Sequence, residues 1–329
     1  MTSSVEQILH LVEEAIHRLE FPNQPANLYE PIRYTLGLGG KRMRPVLVVL
    51  GHEMFGGNSA DAMPAAMAVE VFHNFTLLHD DLMDKAPLRR GKSTVHHKWS
   101  PEIAILSGDA MFVKSCQLIS QCRSAYKESA LQTFLSTAME VCEGQQYDMD
   151  FEQMDTVTVP QYLDMIRLKT AVLLGASLSI GATLAGADER DVQNLYDFGV
   201  NLGTAFQLQD DILDVFGDEE KFGKQVGGDI LANKKTFLLL RAFEKAKDED
   251  LESLHFWIRG NTWSEKHTAQ EKVAAVKLIY TNLGIRQEAE HKMDELYSIA
   301  EDKLNQLHLS VGQTTVLRQL ANQLMERQH

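Results

Sequence analysis

The stretch Glu70–Lys92, EVFHNFTLLHDDLMDKAPLRRGK, carries three aspartates, Asp80, Asp81 and Asp84, followed by Arg89, Arg90 and Gly91. On a helix, positions four apart share one face. Asp80 and Asp84 therefore point the same way, with Asp81 beside them. A second triad, Asp210, Asp211 and Asp214, begins 210 − 80 = 130 residues later. One such triad alone would read as an exposed acidic face. Here both follow apolar runs, NFTLLHDD and GTAFQLQDD, with almost no other charge. Both therefore read as polar ends of buried helices facing one cavity.

Composition narrows the class. A chain of 329 residues with 44% hydrophobic content can bury a sizeable core, which excludes a disordered segment. Length allows two domains or one large helical domain; a single domain over 1–329 is expected. The net charge of −14 weighs against nucleic acid or an anionic membrane as partner. It leaves room for an anionic substrate, because local cations or metal ions invert the field. Cys116, Cys122 and Cys142 form no CxxC and are odd in number, which fits a reducing compartment. The start MTSSVEQILH has no secretion signal, so a cytoplasmic location is expected. The longest uncharged run, Ala171–Ala187, has 17 residues rich in Gly, Ser and Ala. A membrane span wants about 20 strongly apolar residues, so this run is expected to be a buried helix and no span is expected.

Helical periodicity and breakers run along the whole chain. Ser4 with Gln7 forms a possible capping box for the first helix. A short helix follows over Tyr29–Leu36. Asn58–Asp61 caps the helix of the first triad. Long helices are expected over 101–126, 128–152, 160–186 and 189–217, with no convincing strand. Lys221–Lys235 reads as a loop rich in glycine and lysine. Helices near 236–248 and 250–259, a turn at Gly260-Asn261, and helices near 268–282, 285–308 and 312–327 complete an all-α chain.

The basic residues fall into groups. In Gly39-Gly40-Lys41-Arg42-Met43-Arg44-Pro45, a glycine turn delivers three cations to a helix N-terminus, a natural diphosphate site. Lys169, Lys224, Lys234, Arg89 and Arg90 are further anion ligands in principle, although each alone would be a routine surface residue. His73 lies seven residues before Asp80 on nearly the same face, roughly 10 Å along the axis; the bland alternative is a satisfied core histidine. Gln207, three before Asp210, could orient a ligand. Converging carboxylates protonate or bind metal, and Mg²⁺ prefers oxygen ligands shared with water and phosphate. Asp80, Asp84 and Asp210 suit direct ligation, and Asp81, Asp211 and Asp214 ligation directly or through water.

These motifs resemble the short-chain trans-isoprenyl diphosphate synthases of the polyprenyl synthetase family. The likeness rests on GGKRMRP (Gly39–Pro45), HNFTLLHDDLMD (His73–Asp84), PLRRGK (Pro87–Lys92), GQQYD (Gly144–Asp148), KTA (Lys169–Ala171), FQLQDDILD (Phe206–Asp214) and GKQVGGDI (Gly223–Ile230). The resemblance implies an all-α homodimer, a bundle of long antiparallel helices around a deep central cavity with the two aspartate motifs across its mouth. It implies that Lys41, Arg44, His73 and Arg90 hold isopentenyl diphosphate. It assigns Arg89, Lys169, Thr170, Gln207, Lys224 and Lys234 to the allylic diphosphate (dimethylallyl, geranyl or farnesyl). It implies Mg²⁺, nominally three ions with Mn²⁺ as the alternative, on Asp80, Asp84 and Asp210. The family's glycine before the last lysine is Asn233 here, and Asn tolerates the left-handed conformation. The family places the cavity floor just upstream of the first triad, at Phe75, Phe72 and Thr76. Helix arithmetic puts Thr76 and Phe72 nearer the Asp80 face than Phe75. A C20 product is favoured slightly over C15.

Three other readings compete. A class I terpene cyclase shares the first triad but normally has an Asn/Ser/Glu second site, and needs no second diphosphate site. A ferritin-like protein needs Glu-x-x-His pairs, which occur at Glu14/His17, Glu70/His73, Glu252/His255 and Glu288/His291, yet it leaves both triads unexplained. A non-catalytic synthase subunit would have lost a triad.

Overall fold

The computed structural model describes residues 3–217, 226–260 and 267–325. Lys224 and Asn261 lie outside them. The described residues are overwhelmingly helical, and their β structure is one short ladder, Leu88–Arg89 with Lys92–Ser93. The all-α reading therefore holds. The chain divides into two compact units, Met1–Thr137 with Leu173–Tyr196 and Gln306–Leu317, and Ala138–Val172 with Asp197–Asn305 and Arg318–His329.

The first unit is built on the Ser59–Met83 helix, with Asn58 accepting the Asp61 N–H as its cap. The Met43–Met54 and Pro101–Ser120 helices pack along it. Val46–Leu50 and Ala65–Phe72 are buried without a break. A helix buried on all sides loses the amphipathic stripe and reads as a continuous apolar run. The Met43–Met54 helix touches the segment Leu173–Ala185 almost backbone to backbone. A Cβ on Gly181 would stand 2.1 Å from the Val48 carbonyl oxygen, so only glycine permits this packing. Ser4 and Gln7 form the predicted capping box.

The second unit has its own core, including Leu208, Phe237, Leu238, Trp257, Val276, Tyr280 and Ile285. Phe237–Lys245 packs against Val159–Ile166, Ala269–Asn282 and Ile285–Asn305. Thr158, Thr236 and Thr268 cap three of these helices through their hydroxyls.

The apolar run after Lys169 forms the Val172–Ala185 helix, buried nearly throughout. By length and composition two stretches are apolar enough to cross a membrane, Pro101–Ser120 and Val159–Ala185. The most apolar window of the second is 78% buried, as a core helix requires, and that of the first 39%.

Four elements depart from expectation, the first being the Lys221–Lys235 loop, whose described part holds a short helix, Gly228–Leu231. The helix expected over 160–186 is interrupted by a π turn, Arg167–Ala171, and the one near 250–259 ends in another, His255–Arg259. A π turn adds one residue to a turn without changing its apolar content, so periodicity does not reveal it. The helix expected over 101–126 stops at Ser120.

Candidate active site

Asp80, Asp81 and Asp84 fall at the C-terminal end of the Ser59–Met83 helix, Asp84 being its C-cap. The Asp84 N–H donates to the Asp80 carbonyl at 2.9 Å, which stacks the two residues one turn apart. A helix C-terminus carries negative partial charge, so three carboxylates there call for cations. Arg89 supplies one. Its Nε lies 2.7 and 2.8 Å from the two Asp81 oxygens, and its Nη2 lies 3.2 Å from Asp80. Burial pushes the Asp81 carboxyl up, and Arg89 acts against that shift. The β ladder explains how Arg89 arrives there. Arg90 (φ 53°) and Gly91 (φ 73°) are the two left-handed residues of a tight hairpin turn, which pairs Arg89 with Lys92.

The other cations of the first unit gather beside this hairpin. Gly40 has φ 144°, and a Cβ there would stand 2.8 Å from the Arg90 guanidinium nitrogens. The glycine pair thus serves both the turn and the approach of Arg90. Arg44 Nη1 donates to His73 Nε2 at 3.1 Å. His73 is held well below the usual imidazole range by burial, and then by Arg44 and Arg90. It is therefore neutral and accepts from Arg44. Burial also brings the Arg44 guanidinium down to about 10. Arg44 Nε is buried without a hydrogen-bond partner among the described residues, an open donor suited to an anion. Lys41 is exposed at the same turn. A recess here is lined by Asn74, Asp81, Arg89, Arg90 and Thr94, among others.

Arg42 behaves differently from Lys41 and Arg44. It is buried at φ 49°, and turns inward to Glu70 (2.6 Å), Glu13 (3.0 Å) and the Leu36 carbonyl (2.7 Å). It anchors the basic turn from below. Its signal in the sequence was Glu70, a charge inside an apolar run.

In the second unit, Asp210, Asp211 and Asp214 lie near the end of the Glu189–Phe216 helix. Asp210 is exposed, whereas Asp211 is buried under the Tyr162 hydroxyl, which donates to it. Gln207 is a second side-chain partner of Asp211. Burial drives the Asp211 carboxyl up to about 8 against those hydrogen bonds. Asp214 accepts the Asp229 N–H at 3.0 Å. Asp229 itself is raised to about 6 by burial and by Asp214. Lys234 lies 3.9 Å from Asp229, and its N–H bonds the Asp229 carbonyl at 2.9 Å.

Lys169 and Thr170 sit in the Arg167–Ala171 π turn. Lys169 Nζ is 2.6 Å from Asp148 of the GQQYD motif. Gly144 of the same motif lets the two segments meet, since a Cβ there would stand 2.2 Å from the Lys169 backbone nitrogen. Asp148, Tyr162 and Asp229 received no role from sequence reasoning. Asp148 and Asp229, each inside a quoted motif, carried a signal, and Tyr162 carried none.

Upstream of the first triad, Phe72 is 1% exposed and packs on Phe75, Phe112 and Phe134. Phe75 is half-buried and also meets His79 at 4.7 Å between ring centroids. Thr76 donates to the His73 carbonyl.

The donor set of each triad is carboxylate oxygen, exposed in part and without soft ligands, which fits a hard divalent cation such as Mg²⁺. A separate trio, Asp188, Asp191 and His308, also has its ligand atoms close together. Its two aspartates already accept backbone N–H groups.

A family model for polyprenyl synthetase matches residues 25–279. A geranylgeranyl diphosphate synthase of Methanosarcina mazei is 36% identical over 97% of this chain and 95% of its own length. A geranylfarnesyl diphosphate synthase of Natronomonas pharaonis is 37% identical over 75% of this chain and 77% of its own. A crystal structure of a geranylgeranyl pyrophosphate synthase superposes with a TM-score of 0.91 at 42% identity, covering 99% of this chain and 100% of that one. The motifs, the all-α fold and these likenesses agree: the chain belongs to the polyprenyl synthetase family and is a prenyltransferase.

Proposed function

We propose that the chain joins isopentenyl diphosphate to allylic diphosphates (dimethylallyl, geranyl or farnesyl) by 1′-4 condensation, and ends at the C20 geranylgeranyl product. The observation that carries the two-substrate reading is the cation cluster of the first unit. The neutral His73 accepts from Arg44, whose Nε donor stays open, and Arg90 lies against Gly40. With Lys41 these residues hold isopentenyl diphosphate. Arg89, Lys169, Thr170, Gln207, Lys224 and Lys234 hold the allylic diphosphate, with Lys224 outside the described residues.

Asp80, Asp84 and Asp210 hold Mg²⁺, nominally three ions, with Asp81, Asp211 and Asp214 contributing directly or through water. The bound metal supplies charge stabilisation for departing pyrophosphate. The cationic side chains fix positive charge where negative charge develops. The allylic carbon–oxygen bond breaks, and the isopentenyl double bond attacks the resulting cation. The proton then lost goes to pyrophosphate, since no side chain among the described residues stands out as a base. Buried aromatic walls exclude water from the cation.

Phe75 is proposed as the floor of the chain-length pocket, because Phe72 is enclosed by three other rings while Phe75 remains half-buried. The C20 reading is supported by a relative named geranylgeranyl diphosphate synthase, beside one named geranylfarnesyl diphosphate synthase. A homodimer is supported by exposed apolar side chains of the first unit, Ile105, Leu106 and Val113 on the Pro101–Ser120 helix and Leu135 on the Lys127–Gln153 helix. The chain is taken to work as one catalytic domain in the cytoplasm, consistent with its three free cysteines.

The test is product analysis. Protein, Mg²⁺ and isopentenyl diphosphate are incubated with each primer, and dephosphorylated products are read by mass spectrometry with an EDTA control. Metal-dependent C20 as the end product is expected, and Phe75→Ala shifts it longer. An unchanged profile in that variant overturns the floor. A cyclic hydrocarbon or no elongation overturns the synthase reading in favour of the cyclase or the inactive subunit.

A further inference from the structure

Lys234 follows Asn233, which holds the left-handed backbone conformation at φ 54°. Glycine adopts that conformation without strain and asparagine tolerates it. The two residues differ in one respect that matters here: asparagine brings an acceptor. Asn233 Oδ1 receives a hydrogen bond from Lys272 Nζ. Lys272 comes from the first turn of the Ala269–Asn282 helix, and its side chain is 0% exposed. The same Nζ lies 3.5 Å from the Leu231 carbonyl. A buried ammonium is costly unless its donors find acceptors, so these contacts fix Lys272 and the turn together.

The opposite side of this turn is tied to the second aspartate motif. The Gly227 N–H bonds the Asp214 carbonyl at 2.6 Å, and the Asp229 N–H bonds the Asp214 carboxylate at 3.0 Å. The Lys234 N–H then bonds the Asp229 carbonyl at 2.9 Å, and the Thr236 N–H the Lys234 carbonyl at 2.9 Å. Those bonds fix the backbone on both sides of residue 233. The Ala232 and Asn233 N–H groups bond the Gly228 and Ile230 carbonyls at 3.0 and 3.2 Å, and the Asn233 side chain adds a tie from this exposed turn to the Ala269–Asn282 helix that does not run through the backbone.

We propose that Lys272 is a positioning residue for the prenyl transfer, acting through the Asn233 side chain to hold Lys234 where it meets the allylic diphosphate. The proposal rests on the assignment of Lys234 to that diphosphate. A glycine at 233 would supply the same backbone bend with no side-chain anchor. In this chain the bend and the anchor are combined in one residue.

The test compares Lys234→Ala, Asn233→Gly, Lys272→Met and the double variant Asn233→Gly/Lys272→Met. Each is measured for kcat, for KM with either substrate, and for the binding of a non-reactive allylic thiolodiphosphate by calorimetry. Asn233→Gly keeps the backbone accessible, so it reports even if Lys272→Met folds poorly. Expected in Asn233→Gly is a rise of about three- to tenfold in the allylic KM and in the analogue Kd, the scale of one hydrogen bond lost. The KM for isopentenyl diphosphate stays unchanged. The double variant is no worse than the more affected single one, because both changes cut the same tie.

Additive effects, or a lowered melting temperature with both KM values unchanged, overturn the proposal and leave Lys272 a purely structural residue. An unchanged allylic KM and analogue Kd in Lys234→Ala overturns the assignment of Lys234 itself, and the proposal with it.

Discussion

Arg42 Nη1 lies 2.6 Å from Glu70 Oε1, and both side chains are closed off from solvent. Glu70 also accepts from Asn74 at 2.9 Å, so the carboxylate joins the basic turn to the helix of the first aspartate triad. Removing one partner of a buried pair strands the other. Glu70→Ala is expected to cost about 3 kcal/mol of stability, read by urea denaturation. It also raises the KM for isopentenyl diphosphate, since the turn bearing Lys41 and Arg44 loses its anchor.

The neutral His73 makes stability fall on the acid side. Its folded pKa is depressed, by burial first and neighbouring arginines second, so the unfolded chain binds the proton more readily. The contribution is intact above the unfolded value of about 6.5 and is lost progressively as pH falls below it. Urea midpoints of the wild type are therefore expected to drop more than those of His73→Gln between pH 7.5 and 5.5. Parallel curves would mean that His73 takes up its proton as readily in the fold as in the unfolded chain.

Gly144 tests the π turn. Its Cβ would meet backbone at 2.2 Å, and backbone has no rotamer with which to yield. Gly144→Ala is expected to destabilise by about 1–3 kcal/mol and to shift Lys169 away from Asp148. The kinetic signature is a raised KM for the allylic substrate at little cost to that for isopentenyl diphosphate.

Metal binding is separable from turnover. Mg²⁺ with pyrophosphate is expected to raise the melting temperature of the wild type by binding the folded state alone. Asp80→Asn and Asp210→Asn should each reduce that shift. Both should lower kcat by about 100-fold or more, while far-ultraviolet circular dichroism stays unchanged. An undiminished shift in both variants would move the metal site elsewhere.

The parts of the chain legible in the sequence share one property: their signal is local. The apolar approach to Asp80 and the four-residue spacing to Asp84 gave the helix and its face. Ser4–Gln7 gave a cap, and the glycine pair at 39–40 a turn. What escaped depends on a distant partner or on one residue of backbone. The Arg89 ladder is two residues long on each side, too short for alternation to show. The π turn at Lys169 leaves the apolar pattern intact. Arg42 reads as one of three equivalent cations until Glu70, 28 residues away, claims it. Lys272 looks like a surface lysine of an amphipathic helix until Asn233, 39 residues away, is placed beside it.

Asp211 changes the electrical count of the site. Burial lifts its carboxyl to about 8, so the formal charge of −14 counts a carboxylate whose charged form burial disfavours. Asp81, in the matching position of the first triad, is covered by the forked Arg89 contact. The middle aspartate of each triad is thus restrained by a different route, one by burial under a tyrosine hydroxyl and one by a forked arginine. The motifs are written in threes, but in each the outer pair is the more open to an arriving cation.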